Sequence, residues 1–367
     1  MYIYQYADWP DFRWEATALE AKLAQVRYQQ GKLIGKMGEL GFRLKEETSL
    51  EILTQDLVKS NEIEGEVLNE QSVRSSMARQ LGLDLPGLVA SDRRVDGLVE
   101  LMLDATRNFS QPLTAERLQG WHHALFPLGY VGIQPLRVGE WRDNRDGPMQ
   151  VVSGAMGREQ VHFKAPPAQV IEREMRRFLA WFEAPSTTDP VLRAGLAHLW
   201  FVTLHPFDDG NGRIARAISE LALARSDQQP TRFYSMSVQI RKERKTYYEV
   251  LESAQRGDLD VTAWLNWFLG CLLRALSTSE KLTERILVKH RFWQKHQNVN
   301  LNERQQKILN KLLDGFEGKL TTSRYARMCK CSKDTALRDI QYLLEQRLLE
   351  QLPGGGRSTG YRLLLMS

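Results

Sequence analysis

Apolar residues recur at intervals of three and four along most of this chain, the spacing that gathers them on one side of an α-helix. Trp14 to Leu33, Ala168 to Phe182, Leu192 to Leu204 and Ala215 to Ala224 each carry it, and each is predicted to be a helix with a buried face. Leu50 to Gly65 reads as a further helix, closed by a glycine that reaches the left-handed conformation common after a helix end. The longest apolar stretch, Trp264 to Leu273, is far short of the roughly 20 residues a membrane span needs and predicts a buried helix.

Strand-like material is confined to two places. Val161 and Phe163 alternate with His162 and Lys164, a short strand that Pro166 and Pro167 stop. Near the C-terminus, Leu348 to Leu352 and Tyr361 to Leu365 flank the turn-rich segment Pro353 to Gly360 and read as a hairpin. Three short helices precede it: Asn302 to Leu313, Thr322 to Met328 behind a threonine or serine cap, and Ser332 to Gln346 opened by an N-cap serine. The expected fold is mainly α. Its segments are an N-terminal helical region over 1–110, a catalytic domain over 111–285 and a C-terminal module over 300–367, with no internal repeat or low-complexity tract.

Composition narrows this further. With 367 residues the chain is too long for one ordinary domain, so two or three are expected. The net charge is +5, and from residue 301 onward twelve Lys and Arg face seven acids, so the whole surplus lies in the C-terminal module. Cys271, Cys329 and Cys331 are an odd number without a framework, which suggests a reducing cytoplasm, and Cys329-x-Cys331 lacks the nearby ligands of a zinc site. The start, Met1-Tyr-Ile-Tyr-Gln-Tyr-Ala-Asp8, has neither the basic end nor the apolar centre of a signal peptide. A cytoplasmic protein without membrane attachment is expected.

The candidate chemistry is concentrated in His205-Pro-Phe-Asp-Asp-Gly-Asn-Gly-Arg-Ile-Ala-Arg216. Gly210, Asn211 and Gly212 allow backbone N–H groups to converge on an anion, and a helix starting there adds its positive dipole end. Asp209 is a hard oxygen ligand of the kind magnesium takes together with phosphate oxygens and water. Arg213 and Arg216 share a helix face and point two guanidinium forks at phosphates. His205, with an ordinary pKa near ~6.5, suits proton abstraction from a hydroxyl. Gly210-x-Gly212-x-x-Ala215 also satisfies a dinucleotide-binding pattern, but five residues separate it from the preceding apolar run, and no acidic strand end follows. No P-loop pattern occurs.

This run resembles the Fic family signature H-P-F-x-[DE]-G-N-G-R-x-x-R at every constrained position. The resemblance implies a Fic-type helical core that moves AMP from ATP onto a Ser, Thr or Tyr hydroxyl of an unidentified target protein, and of itself. It implies His205 as general base and Asp209 as the ligand of Mg2+ or Mn2+. Gly210, Asn211 and Gly212 would form the anion hole, and Arg213 and Arg216 would hold the β- and γ-phosphates. Ser60-Asn-Glu-Ile-Glu64-Gly65 resembles the family's inhibitory motif [ST]-x-x-x-E-[GN]. It implies that Glu64 pairs with Arg216 and blocks the productive pose of ATP, and in related proteins the same glutamate supports AMP removal.

Val138-Gly-Glu-Trp-Arg142, with Val151-Val-Ser-Gly and Val161, His162 and Phe163, resembles the family's flap, a β-hairpin that aligns a target segment by strand addition. Tyr247 and Tyr248 resemble the aromatic pair beside the adenine pocket; as neighbours on a helix they point to different sides, and one is expected in the core. Fic-like cores also transfer UMP or phosphocholine, or use a phosphorylated sugar, so the transferred group stays open. The C-terminal module resembles a winged helix with Ser332 to Gln346 as recognition helix. Its Lys330, Lys333 and Arg338, with Arg357 on the wing, form a DNA-type electrostatic footprint, although many winged helices dock proteins or form homodimers. The second functional class is therefore a DNA-binding regulator whose Fic core senses nucleotide.

Overall fold

The computed structural model describes residues 1–38, 41–85, 87–131, 134–143, 145, 147–153, 160–313, 315–316, 318–353 and 359–364. The chain forms two compact units, Met1–Ser279 and Glu280–Ser367. In the first, a 3-10 turn at Ile3–Gln5 precedes α1 (Ala16–Gly38), α2 (Phe42–Ile63), α3 (Glu70–Gln80), α4 (Arg93–Arg107) and α5 (Ala115–Leu125). Then come the two-residue strands β1 (Tyr130–Val131) and β2 (Gln134–Pro135), followed by β3 (Gln150–Ser153) and β4 (Gln160–Lys164). Helices α6 (Ala168–Glu183), α7 (Pro190–Leu204), α8 (Asn211–Asp227), α9 (Met236–Lys242), α10 (Arg244–Arg256) and α11 (Thr262–Lys295) complete it, the division between units falling within α11.

The centre of the first unit is the pair α7 and α8. Every residue of α7 from Val191 to Leu204 except Arg193 is buried, and α8 is buried from Arg213 to Ala224. A helix apolar on all sides must be surrounded by protein, and this one is packed by α6, α8 and α11. Asp189 caps its start by accepting from Val191 N–H, with Pro190 in the first turn, where a missing N–H costs nothing. The run before the glycines is thus helical, which disposes of the strand a dinucleotide-binding unit would require.

Several elements differ from expectation. Helix α2 starts at Phe42 rather than Leu50, and α11 continues past Leu273 to Lys295, because both helices extend beyond the apolar stretches that announced them. The β1–β2 pair was not foreseen; its residues are exposed and carry no alternation. Val138 to Arg142 form a turn and a tether instead of a flap strand. In the β3–β4 hairpin Val151 pairs with Phe163 but Val152 with Val161, so His162 is an extra residue in a bulge. That bulge breaks the alternation, leaving Phe163 buried and Val161 39% exposed.

The second unit contains α12 (Glu303–Leu313), α13 (Thr322–Cys329), α14 (Lys333–Glu345) and the antiparallel strands β5 (Leu349–Gln351) and β6 (Tyr361–Leu363). Ile308, Leu309, Leu320, Tyr325, Ala336, Ile340, Leu343 and Leu348 form its core. Thr321 and Ser332 cap α13 and α14, accepting from Arg324 and Thr335 N–H. The arrangement is that of a winged helix-turn-helix. Among the described residues no helix is long and apolar enough to cross a membrane.

Helix α2 is fixed at mid-length by a buried charge. Asp56 accepts from the hydroxyl of Ser235, and from the N–H and hydroxyl of Ser237, both at 3.1 Å, at the start of α9. Burial raises its pKa, while the serine hydrogen bonds and the nearby Arg232 oppose the rise. Asp56→Ala strands these donors in the interior and is expected to cost about 2–4 kcal/mol, read as a lower midpoint of chemical denaturation, with Asp56→Asn losing less.

Candidate active site

His205 is the residue where α7 stops. Its backbone takes a left-handed conformation (φ 49°), which ends the helix while its N–H still donates to Phe201 O at 3.0 Å. The ring Nδ1 lies 3.3 Å from Val202 O. A carbonyl only accepts, so Nδ1 carries the proton and Nε2 keeps its lone pair. Burial pushes the imidazole down to a pKa of about 4, with Arg142 adding to the effect and the Val202 bond, Asp209 and Glu64 opposing it. At neutral pH the ring is uncharged and basic at Nε2.

The loop 206–210 is pinned from several directions. Phe207 is fully buried, its N–H donates to Asn211 Oδ1 at 3.0 Å, and its carbonyl accepts from Asn211 Nδ2 at 2.8 Å. Asn211 therefore offers an incoming anion its backbone N–H in the first turn of α8, where amides lack helical acceptors, and its side chain is already committed. His122 stacks on Phe207 with ring centres 4.1 Å apart. Its Nδ1 accepts from Gly139 N–H at 3.0 Å and its Nε2–H donates to Asp209 O at 3.2 Å, a pattern that requires the neutral ring; burial, opposed by the Asp209 bond, holds its pKa at about 4. Arg142 donates from Nε to His205 O at 2.7 Å and from Nη2 to Pro166 O at 2.6 Å, joining the base to the end of the flap.

Arg213 and Arg216 of α8 are almost wholly buried, and both meet acids at or just past the end of α2. Arg216 Nη2 lies 2.8 Å from Glu64 Oε1, its Nε donates to Ser60 Oγ at 2.8 Å, and Nη2 also donates to Ser60 O at 2.9 Å. Burial alone would raise the Glu64 carboxyl, but Arg216, then Arg213 and the Tyr248 hydroxyl, bring it below the ordinary glutamate value. Arg213 Nη1 donates to Glu66 Oε2 at 2.9 Å, its Nη2 lies 3.8 Å from Asp209, and its guanidinium covers the Phe126 ring.

The glycines serve different ends. Gly210 (φ 79°) provides the left-handed entry to α8. Gly212 is helical, but a Cβ there would stand 2.3 Å from Glu64 Oε1, so its bare backbone is what admits the carboxylate. Gly65 (φ 87°) follows Glu64, the C-cap of α2, as the sequence predicts.

Comparison with known proteins agrees with this geometry. The Fic/DOC family matches residues 112–223, a DeoR-like helix-turn-helix domain matches residues 304–360, and a domain of unknown function, DUF4172, matches residues 2–83. Residues 112–223 are a Fic/DOC domain. Over 213 residues the chain is 29% identical to the protein adenylyltransferase Fic of Nematostella vectensis, covering 56% of this chain and 44% of that protein. Over 134 residues it is 34% identical to the protein of the same name from Drosophila melanogaster, covering 36% and 23%. The chain thus spans less than half the length of these relatives. A Fic family protein from Desulfovibrio desulfuricans shares the fold over 94% of this chain and 95% of its own, at 21% identity and a TM-score of 0.52. Fic-1 of Caenorhabditis elegans does so over 75% and 74%, at 22% identity and 0.50.

Around the Fic site, Tyr247 and Tyr248 separate as a helix dictates. Tyr247 is buried, donating to His198 Nε2 at 2.9 Å while His198 Nδ1–H donates to Ser219, which leaves Tyr248 as the accessible ring. The Tyr248 hydroxyl reaches Glu64 Oε2 at 3.4 Å, and the Arg244 guanidinium lies over its ring while donating to Ile63 O at the end of α2. Along the flap, Arg256 donates to Val161 O and His162 O, and Tyr4 to Lys164 O. His162 Nδ1 meets Glu252 at 2.9 Å, and Tyr2 and Tyr4 pack on Phe163. A segment adding along β4 must displace these donors. Asp209 keeps a carboxylate 44% exposed beside Arg213, and among the described residues there is no cluster of three metal-binding side chains.

In the second unit Lys330, in a left-handed turn, and Lys333 and Arg338 on α14 are exposed, together with the acidic Asp334; Arg357 lies outside the described residues. His122, Arg142 and Glu66 carry weight that the sequence did not announce. Each acts through a partner distant in the chain or through a motif position that sequence patterns leave free.

The state of His205 is directly measurable. Histidine-selective 15N NMR, assigned with His205→Ala, is expected to show an Nδ1–H tautomer that stays neutral to about pH 5; titration near the ordinary ~6.5 contradicts the structure. Since the folded value lies below the unfolded one, the His205 contribution to stability is complete above about pH 6.5 and is lost as pH falls toward 4.

Proposed function

We propose that the Fic domain transfers AMP from ATP to a Ser, Thr or Tyr hydroxyl of a target protein and of itself. The geometry that carries this reading is His205 at the end of α7, its Nδ1 3.3 Å from Val202 O so that Nε2 is left to accept a proton, followed at once by the loop into α8 and its two buried arginines. In the proposed step the target hydroxyl oxygen bonds to the α-phosphorus, its proton passes to His205 Nε2, and the bond to the departing pyrophosphate breaks. Arg213 and Arg216 hold the outer phosphates, and the amides after Gly210 face the charge that develops. Asp209 is the residue that would hold Mg2+ or Mn2+, which when bound neutralises phosphate charge. The names of the curated relatives support AMP over other groups, and Tyr248 is the ring available to an adenine.

Glu64 is the brake in this reading. With Arg216 paired to Glu64 and Ser60, the γ-phosphate finds its guanidinium occupied. The same ionised carboxylate is placed to take a proton from a water, which gives the site the reverse task of removing AMP. Incubation with ATP and magnesium followed by intact mass measurement is expected to show added AMP on Glu64→Gly and little on wild type. His205→Ala in the Glu64→Gly chain is expected to lose about 10²–10⁴-fold in rate. AMP addition that survives His205→Ala refutes the role of the base.

A second reading is favoured by the DeoR-like match and the surplus of five positive charges in residues 301–367: the protein is a DNA-binding regulator whose Fic core senses nucleotide. Binding to duplex DNA is expected to weaken with salt, and replacing both Lys333 and Arg338 by Glu is expected to flatten the dependence on log salt by about one unit per lost phosphate contact. DNA binding unaltered by that double change removes α14 from the interface.

A further inference from the structure

The pair Glu66–Arg213 has no place in the inhibitory pattern, which ends at Gly65. We propose that Glu66 is a second inhibitory carboxylate, which withholds Arg213 from the nucleotide as Glu64 withholds Arg216; this rests on the reading of the two arginines as phosphate ligands.

The geometry follows from one turn. Asn61 O accepts from both Glu64 N–H and Glu66 N–H, each at 3.0 Å, and Gly65 between them is left-handed. The chain reverses around that carbonyl and presents both acids to α8, where Arg213 and Arg216 stand three residues apart on one face. The two contacts are alike. Arg216 Nη2 to Glu64 Oε1 is 2.8 Å and Arg213 Nη1 to Glu66 Oε2 is 2.9 Å, each joining a guanidinium at most 4% exposed to a carboxylate about one third exposed. A buried guanidinium needs an anion beside it. With the turn in place it has a glutamate; with ATP in place it would have phosphate oxygens, and the two compete for the same N–H groups.

Glu66 differs from Glu64 in one respect that provides the test. Its Oε2 is shared with Arg94 at the start of α4, a side chain 45% exposed. Arg94 draws the carboxylate away from Arg213, so the strength of the second brake depends on α4. Removing Glu64 alone frees Arg216 and leaves Arg213 engaged. Full access for a triphosphate requires both acids to give way.

Calorimetric titration of the full chain with ATP and magnesium, in a His205→Ala background so that no transfer is needed, reads this directly. With Glu64→Gly present, Glu66→Gln is expected to tighten ATP binding about fivefold, the worth of one partly screened charge-assisted contact. Arg94→Ala is expected to weaken binding about twofold while Glu66 is present and to have no effect once Glu66→Gln is introduced. ATP affinity that does not rise on Glu66→Gln, while Glu64→Gly binds, overturns the second brake and leaves the first intact. An Arg94→Ala effect equal in both backgrounds also overturns it, since Arg94 would then act on the ligand itself. Absence of ATP binding even with Glu64→Gly overturns the nucleotide reading, and the second brake falls with it.

Discussion

Two guanidiniums in the interior of a helical core set the terms for everything around them. Arg213 and Arg216 sit on α8, the most deeply buried helix after α7, and neither can be left without an anion. In this structure the anions are Glu64 and Glu66, delivered by the end of α2 through the left-handed Gly65. The missing Cβ at Gly212 lets the first of them come close enough.

The supporting structure is arranged to hold α2 in register with α8. Asp56 anchors its middle to the serines at the start of α9, Arg244 holds its final turn by donating to Ile63 O, and Ser60 bonds Arg216 directly. Each of these is a polar contact in a buried place, where geometry matters more than bulk. His205 is held by a separate set: Arg142 grips His205 O and Pro166 O, while His122 stacks on Phe207. Glu64 and His205 are therefore positioned by different contacts.

Much of this was legible in the residues. The three- and four-residue spacing located α6, α7 and α8, because their faces are simple, and the run from His205 to Arg216 located the site, because few other chemistries need that mixture. Gly65 marked the end of α2 for a backbone reason that holds in any context. What could not be read was pairing at a distance. His122 meets Asp209 eighty-seven positions away, and Arg142 reaches His205 across sixty-three. Nothing local distinguishes either from an ordinary surface residue. The bulge at His162 escaped for a related reason, since alternation assumes the register that only the partner strand reveals. The second task of Asn211 was also hidden: its side chain closes the loop around Phe207, a pairing that the convergence of backbone amides at 210–212 does not require.

Charge is partitioned between the two units in a way that separates two kinds of recognition. The first unit, residues 1–279, carries 33 Lys and Arg against 36 acids, so it projects no positive net field, whatever its local contrasts. On the proposed function a triphosphate is not gathered from a distance; it is exchanged locally for carboxylates already in contact with the arginines. Salt screens long-range attraction over about 8–10 Å but acts far less on buried pairs. On the same proposal, nucleotide affinity follows how firmly Glu64 and Glu66 are held, that is, the packing of α2, and depends only weakly on ionic strength. The surplus of five positive charges in residues 301–367 obeys the opposite rule, because exposed cations such as Lys330, Lys333 and Arg338 act through solvent and lose their reach as salt rises. The two proposed binding activities therefore respond to different variables: α2 packing for a nucleotide at the first unit, and salt for a polyanion at the second.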